Sequence, residues 1–184
     1  NPKFAAADLL AQAEHGSGDE RVWFASNSKK LIADVQRELK RQLPALSRRE
    51  FIRKALRKNG WLIHVKSIND GIALANRIAP EHCELMLRKP GQAVKALTTV
   101  GAIFVGPWTP TVLGDYVAGP SHTLPTGGAG ASFAGLTVDQ FQRRTSVVKY
   151  NRPALAKSIE TIRTFAEMEG LDAHGRSAEI RLED

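Results

Sequence analysis

Apolar positions along the first 105 residues fall into alternating helical and extended runs. Residues 4–15, Phe-Ala-Ala-Ala-Asp-Leu-Leu-Ala-Gln-Ala-Glu-His, read as a helix stopped by Gly16. Val22-Trp23-Phe24-Ala25 reads as a short strand. A helix follows over 29–43, with Pro44 helping to end it, and Ser47 is placed to cap a second helix that runs to Lys58. Asn59-Gly60 supplies the C-terminal signal of that helix. Trp61–Val65 is a strand, and residues 68–78 are helical up to the block at Pro80. Cys83–Leu87 is short and apolar, a buried strand. Pro90 starts another helix and Ala102–Val105 is the next strand. Strands alternating with helices predict an α/β fold with a largely parallel sheet, whose ligand sites lie at the carboxyl ends of the strands.

After Val105 the texture changes. Residues 106–135 are rich in Gly, Pro, Ser and Thr, yet carry Asp115, Tyr116 and His122. A loop this long inside a compact domain is expected to be functional or disordered. Residues 137–150 predict a short helix and a strand at Val147–Tyr150. Pro153 opens a long amphipathic helix to Met168, stopped by Gly170. The stretch 171–184 is polar, has little apolar surface of its own, and is expected to pack on something else. The pattern divides the chain into residues 1–140, an α/β unit, and residues 141–184, a helix and terminal arm.

Composition adds limits. With 184 residues, 42% hydrophobic and 24% charged, the chain has material for one domain, or one domain with an appendage. No stretch approaches the roughly 18 uninterrupted apolar residues of a membrane span. Asn1-Pro2-Lys3 leads straight into an amphipathic segment, so no signal peptide is expected. The first residue is not Met, which predicts a processed or truncated chain. Cys83 is the single cysteine, so no internal disulfide forms, and a reducing cytoplasm fits. The net charge of +7 invites a nucleic-acid reading. Much of the excess, however, sits at Lys40, Arg41, Arg48, Arg49, Arg53, Lys54, Arg57 and Lys58. These fall opposite Leu39, Leu43, Phe51, Ile52, Ala55 and Leu56 on two predicted helices. Solvated helix faces are the favoured explanation, because the aromatics do not interleave with the basic residues as a base-stacking platform requires.

Four places carry candidate chemistry. Gln12 and His15, three apart on one predicted helix, project to the same side, where a carboxamide oxygen and an imidazole can grip one metal ion. The spacing alone favours a partly exposed helix-end histidine. Glu81 and His82 follow Pro80 at a helix-to-strand junction. There they offer two proton-transfer groups of different intrinsic pKa, although the pair alone equally fits a surface Glu beside a half-buried His. Within Gly114–Thr126, Asp115 can ligate a metal while Gly114 and Gly119 let the backbone approach a ligand; an Asp cap and a loop His is the plain alternative. Glu169 and His174 bracket a helix end and read alone as solvated. His64 reads as structural. Cys83 points away from His82 along the strand and reads as a buried, inert thiol. Gly127-Gly128-Ala129-Gly130 lacks the spacing of a dinucleotide fingerprint and is rejected as a cofactor loop.

The order and wording of these pieces resemble the histidinol dehydrogenase family. The matching phrases are Ala7–His15, Ile78-Ala79-Pro80-Glu81-His82, the Gly114–Thr126 loop and Glu169–His174, which span nearly the whole chain. Ser121 and Cys83 depart from the Asn and Leu expected there. The resemblance implies a partial Rossmann-like parallel sheet flanked by helices, with a C-terminal helical arm. It implies zinc ligands at Gln12, His15, Asp115 and His174, with Glu81 activating water and His82 moving protons. It further implies substrate contacts from His122 and Glu169, as well as from the zinc ligands and His82. The implied reaction is oxidation of L-histidinol to L-histidine through an aldehyde with two NAD, zinc mainly orienting the substrate. The implied assembly is a homodimer whose terminal arm completes the partner's site. The NAD-binding part of the family lies upstream of Asn1. Three rivals stand beside this reading: the same metal site acting on another small alcohol, such as a sulfonated diol; an inactive fragment; and a non-catalytic nucleic-acid binder.

Overall fold

A computed structural model describes residues 1–183. It resolves into two compact units, Asn1–Phe141 and a second that begins at Gln142.

The first unit opens with α1 (Pro2–Gln12). Asn1 caps it by accepting the Lys3 N–H, and Pro2 occupies the first turn, where its missing donor costs nothing. The helix is one turn shorter than its pattern predicts. Ala13 ends it, and His15 lies in the bend that follows, so Gln12 and His15 do not share a helical face. Next come β1 (Val22–Ser26), α2 (Lys29–Gln42), α3 (Arg49–Asn59) and β2 (Gly60–His64). Ser28 caps α2 through the Leu31 N–H. Ser47 does not cap α3: Arg48 holds the cap position without a side-chain hydrogen bond. The basic residues of α2 and α3 face outward and pair with acids, as in Arg41–Glu38, Arg53–Glu50 and Lys58–Asp19, as expected of solvated helix faces.

α4 (Ile68–Ile78), β3 (His82–Leu85), α5 (Gly91–Ala96) and β4 (Ala102–Val105) complete the α/β part. The strands are parallel but do not make one sheet. β1 pairs with β2, aligning Val22 with Gly60, and β3 pairs with β4, aligning His82 with Ala102. Two cores lie around α1. Leu10, Ala13, Val22, Ile52 and Ala55 pack together, and Ala5 and Ala6 close on Val35 with Met86 alongside. A third core, Leu85, Ala93 and Leu97, binds β3 to α5, and Cys83 packs into it. The expected long loop carries a short helix, α6 (Val112–Tyr116), and a tight turn at Ala129–Ala131; the short helix expected within 137–150 is a single tight turn at Val138–Phe141.

In the second unit no strand forms at Val147–Tyr150; those residues are exposed and without regular structure. α7 (Arg152–Glu169) is capped by Asn151 and ended by Gly170 in the left-handed region. The polar tail folds back as α8 (Asp172–Glu179). Gly175 packs on Ala166, Ala178 is buried, and Arg163 bonds Glu179 at 2.7 Å, so the tail finds its packing partner on α7. Among the described residues, no helix is long and apolar enough to cross a membrane.

Candidate active site

The junction between α4 and β3 is stiff. Ala79, almost fully buried, ends α4 with φ 48°, a left-handed conformation rare outside glycine, and Pro80 fixes the next φ. The start of β4 then clamps the chain: Gly101 N–H donates to the Pro80 carbonyl and Ala102 N–H to the Glu81 carbonyl, each at 2.9 Å. His82 therefore enters β3 from a backbone with little freedom. Its ring lies 5.7 Å from that of Phe104 on the paired strand. Gly114 lets α6 press on the same Phe104 ring; a Cβ there would stand 2.8 Å from it.

α6 carries Asp115 to this ring. Its Oδ1 lies 2.9 Å from His122 Nδ1 and 4.0 Å from His82 Nε2. The His82 and Asp115 side chains are only 14% and 15% exposed, whereas His122 is 67% exposed, so one face of the cluster opens to solvent. Burial holds the His82 pKa below its ordinary value, and the charges of His122 and His15 push in the same direction. Glu81 and Asp115 oppose them. A neutral imidazole can accept a proton, which suits a general base. Cys83, one residue on, faces the opposite core, and burial pushes its thiol up to about 11.

The structure thus gathers Glu81, His82, Asp115 and His122, with His15 near enough to act on His82. Gln12 lies at the end of α1, while Glu169 and His174 belong to the second unit. His64, at the end of β2, is exposed, which removes the structural role its apolar strand suggests. Among the described residues no three His, Cys, Asp or Glu side chains form a metal-holding group. Of the expected ligands, only His15 and Asp115 are both in that chemical class and in the first unit. Gln12 adds an amide oxygen. Imidazole, carboxylate and amide are N and O donors of the kind that zinc takes. Asp8, Glu84 and Thr111 escape a sequence search for chemistry, although a charge inside each apolar run (Asp8 after three alanines, Glu84 between Cys83 and Leu85) is a legible signal.

The sequence pattern of the family described as histidinol dehydrogenase matches residues 1–182. The chain belongs to that family. Relatives of the same name share 41% identity over 184 residues in Bacillus cereus and 40% over 182 residues in Heliobacterium mobile. These matches cover 100% and 99% of this chain and 43% and 42% of the relatives. The crystal structure of histidinol dehydrogenase from Elizabethkingia anophelis superposes with a TM-score of 0.95 at 32% identity, over 100% of this chain and 42% of that one. The α/β fold with parallel strands flanked by helices and a C-terminal helix is therefore that of histidinol dehydrogenases. The chain spans about two fifths of the length of the relatives it matches.

Proposed function

We propose that this chain is the C-terminal portion of an NAD- and zinc-dependent histidinol dehydrogenase, an oxidoreductase of histidine biosynthesis. In this reading it oxidises L-histidinol to L-histidine through histidinal with two NAD. The observation that carries the reading is a half-buried His82, its basic form favoured by burial, held beside Asp115 and His122 in a chain of this family. The two oxidations need protons removed from oxygen and one water activated. His82 takes the protons in each oxidation, and Glu81, adjacent on the same rigid junction, activates the water. Gln12, His15 and Asp115, with His174, would hold zinc, which would supply a Lewis-acidic anchor orienting the substrate. His122 and Glu169 contact the substrate, His122 from the solvent-facing side.

Residues 1–140 are the C-terminal half of the main catalytic domain, and residues 141–184 are an arm through which Glu169 and His174 complete a partner's site in a homodimer. In this reading NAD is bound by the part of the enzyme that this chain does not span. A cytoplasmic location is in keeping with a free, inert Cys83. The test is His82→Ala in the complete encoded polypeptide. Hydride transfer from L-histidinol is expected to disappear while zinc remains bound. Normal turnover removes the role given to His82, and a parent enzyme that prefers a sulfonated diol reassigns the substrate.

A further inference from the structure

Behind the candidate site lies a second polar cluster that the proton transfers do not use. Asp8, in the middle of α1, is hydrogen-bonded through its side chain to Glu84 on β3. Glu84 Oε1 also accepts two bonds from Thr111, the backbone N–H at 3.0 Å and the hydroxyl at 2.6 Å. Thr111 is 4% exposed and stands immediately before α6. One line of hydrogen bonds therefore runs from α1 through β3 to α6. Two carboxyl groups bond to each other only when one holds a proton. Thr111 gives Glu84 donors, so the proton resides on Asp8. Burial first, then the charge and hydrogen bond of Glu84, raise the Asp8 pKa to about 7.

Every member stands close in sequence to a candidate site residue. Gln12 is one helical turn beyond Asp8 on α1. His82 is two residues before Glu84, on the same face of β3. Asp115 is about one turn beyond Thr111. Apolar contacts follow the same seam: Phe4 meets Trp108 with centroids 5.9 Å apart, and Met86 packs on Ala5, Ala6 and Val35. A hydrogen-bonded line of this kind fixes the separation between α1, which leads to Gln12 and His15, and α6, which carries Asp115.

We propose that Asp8, Glu84 and Thr111 are positioning residues, a clamp that sets the spacing of Gln12, at the end of α1, and His15, in the bend beyond it, from the Asp115 carboxylate and thereby the affinity of the zinc site. The clamp deepens the zinc-dehydrogenase reading and rests on it. Outer-shell partners of metal ligands typically change affinity by about 10–100-fold when removed. The experiment measures zinc affinity of the complete encoded polypeptide by competition with a chelating indicator, beside its thermal midpoint and its kcat and KM for L-histidinol. Asp8→Ala is expected to weaken zinc binding by about tenfold or more. Asp8→Asn, whose amide still donates to Glu84, is expected to stay within about threefold of the parent. A purely packing role would not be rescued in zinc affinity by asparagine. If Asp8→Ala does not fold, Thr111→Val, which removes the hydroxyl and keeps the shape, is expected to weaken zinc binding in its place. Parental affinity in the folded test variant overturns the clamp, as does equal weakening in Asp8→Ala and Asp8→Asn. A parent protein that neither binds zinc nor oxidises L-histidinol overturns the functional reading and the clamp together, which separates that failure from the clamp's own.

Discussion

Replacing Gly101 with alanine strikes the Glu81–His82 junction without altering either side chain. Gly101 starts the turn into β4, and its backbone lies against the segment that delivers His82. A Cβ at position 101 would stand 2.6 Å from the Glu81 carbonyl oxygen and 3.1 Å from Pro125 Cδ. Ordinary contact begins near 3.4 Å, so the Glu81 backbone and β4 must part by about 0.8 Å where His82 enters the strand. The neighbour is backbone, not the far end of a flexible side chain, so the displacement passes to His82. A reacting group misplaced by about 1 Å can cost around 100-fold in rate. Overpacking strain of this kind costs roughly 1–3 kcal/mol of stability. The assay is steady-state NADH production from L-histidinol by the complete polypeptide, paired with urea unfolding. A kcat lowered roughly 10–100-fold is expected. Gly91→Ala serves as the control, because a Cβ there meets nothing within 4 Å. Turnover in Gly101→Ala within about twofold of the parent, with an unchanged unfolding midpoint, would refute the idea that this contact holds the junction.

Three further outcomes are expected. Cys83, with its thiol pushed up to about 11, should resist alkylation at pH 8 in the folded chain and react readily in urea; equal rates would contradict its burial. Ile52→Ala removes a fully buried side chain from the core beneath α3 and should cost about 2–5 kcal/mol by denaturant titration. An unfolded aspartate loses its proton near pH 4, whereas folded Asp8 keeps it to about 7, so this group makes stability fall as pH rises between those values. Asp8→Asn should flatten that part of the profile, and an unchanged slope would remove Asp8 as its source.

The helices and strands up to Val105 were legible because their cores are built from regular apolar spacing: Ile52 and Ala55 on α3, Val22 in β1, Leu85 in β3. The failures have local causes. At the end of α1 the helical pattern runs on through Glu14 and His15, but the chain bends at Ala13 towards Gly16, whose φ is +90°. α8 was missed because it contributes almost no large apolar residue; it docks through Gly175 and Ala178, which carry no hydrophobic signal. Val147 and Val148 have strand-forming side chains but stand 89% and 79% exposed, since propensity alone does not supply a pairing edge. The neighbourhood of His82, Asp115 and His122 could not be read from spacing. It depends on α6 pressing against Phe104 across the β3–β4 pair, a tertiary contact that no single segment encodes.

Ala79 and Pro80 leave the backbone ahead of His82 almost no torsional choice, while His122 follows Gly119 on an open segment with most of its ring in water. In the proposed reading, acid–base function and substrate contact are thereby mounted on mechanically different supports. In the proposed reading, remodelling residues 117–121 while His122 stays on Asp115, and so keeps its charge beside His82, gives laboratory evolution towards other alcohols a starting point.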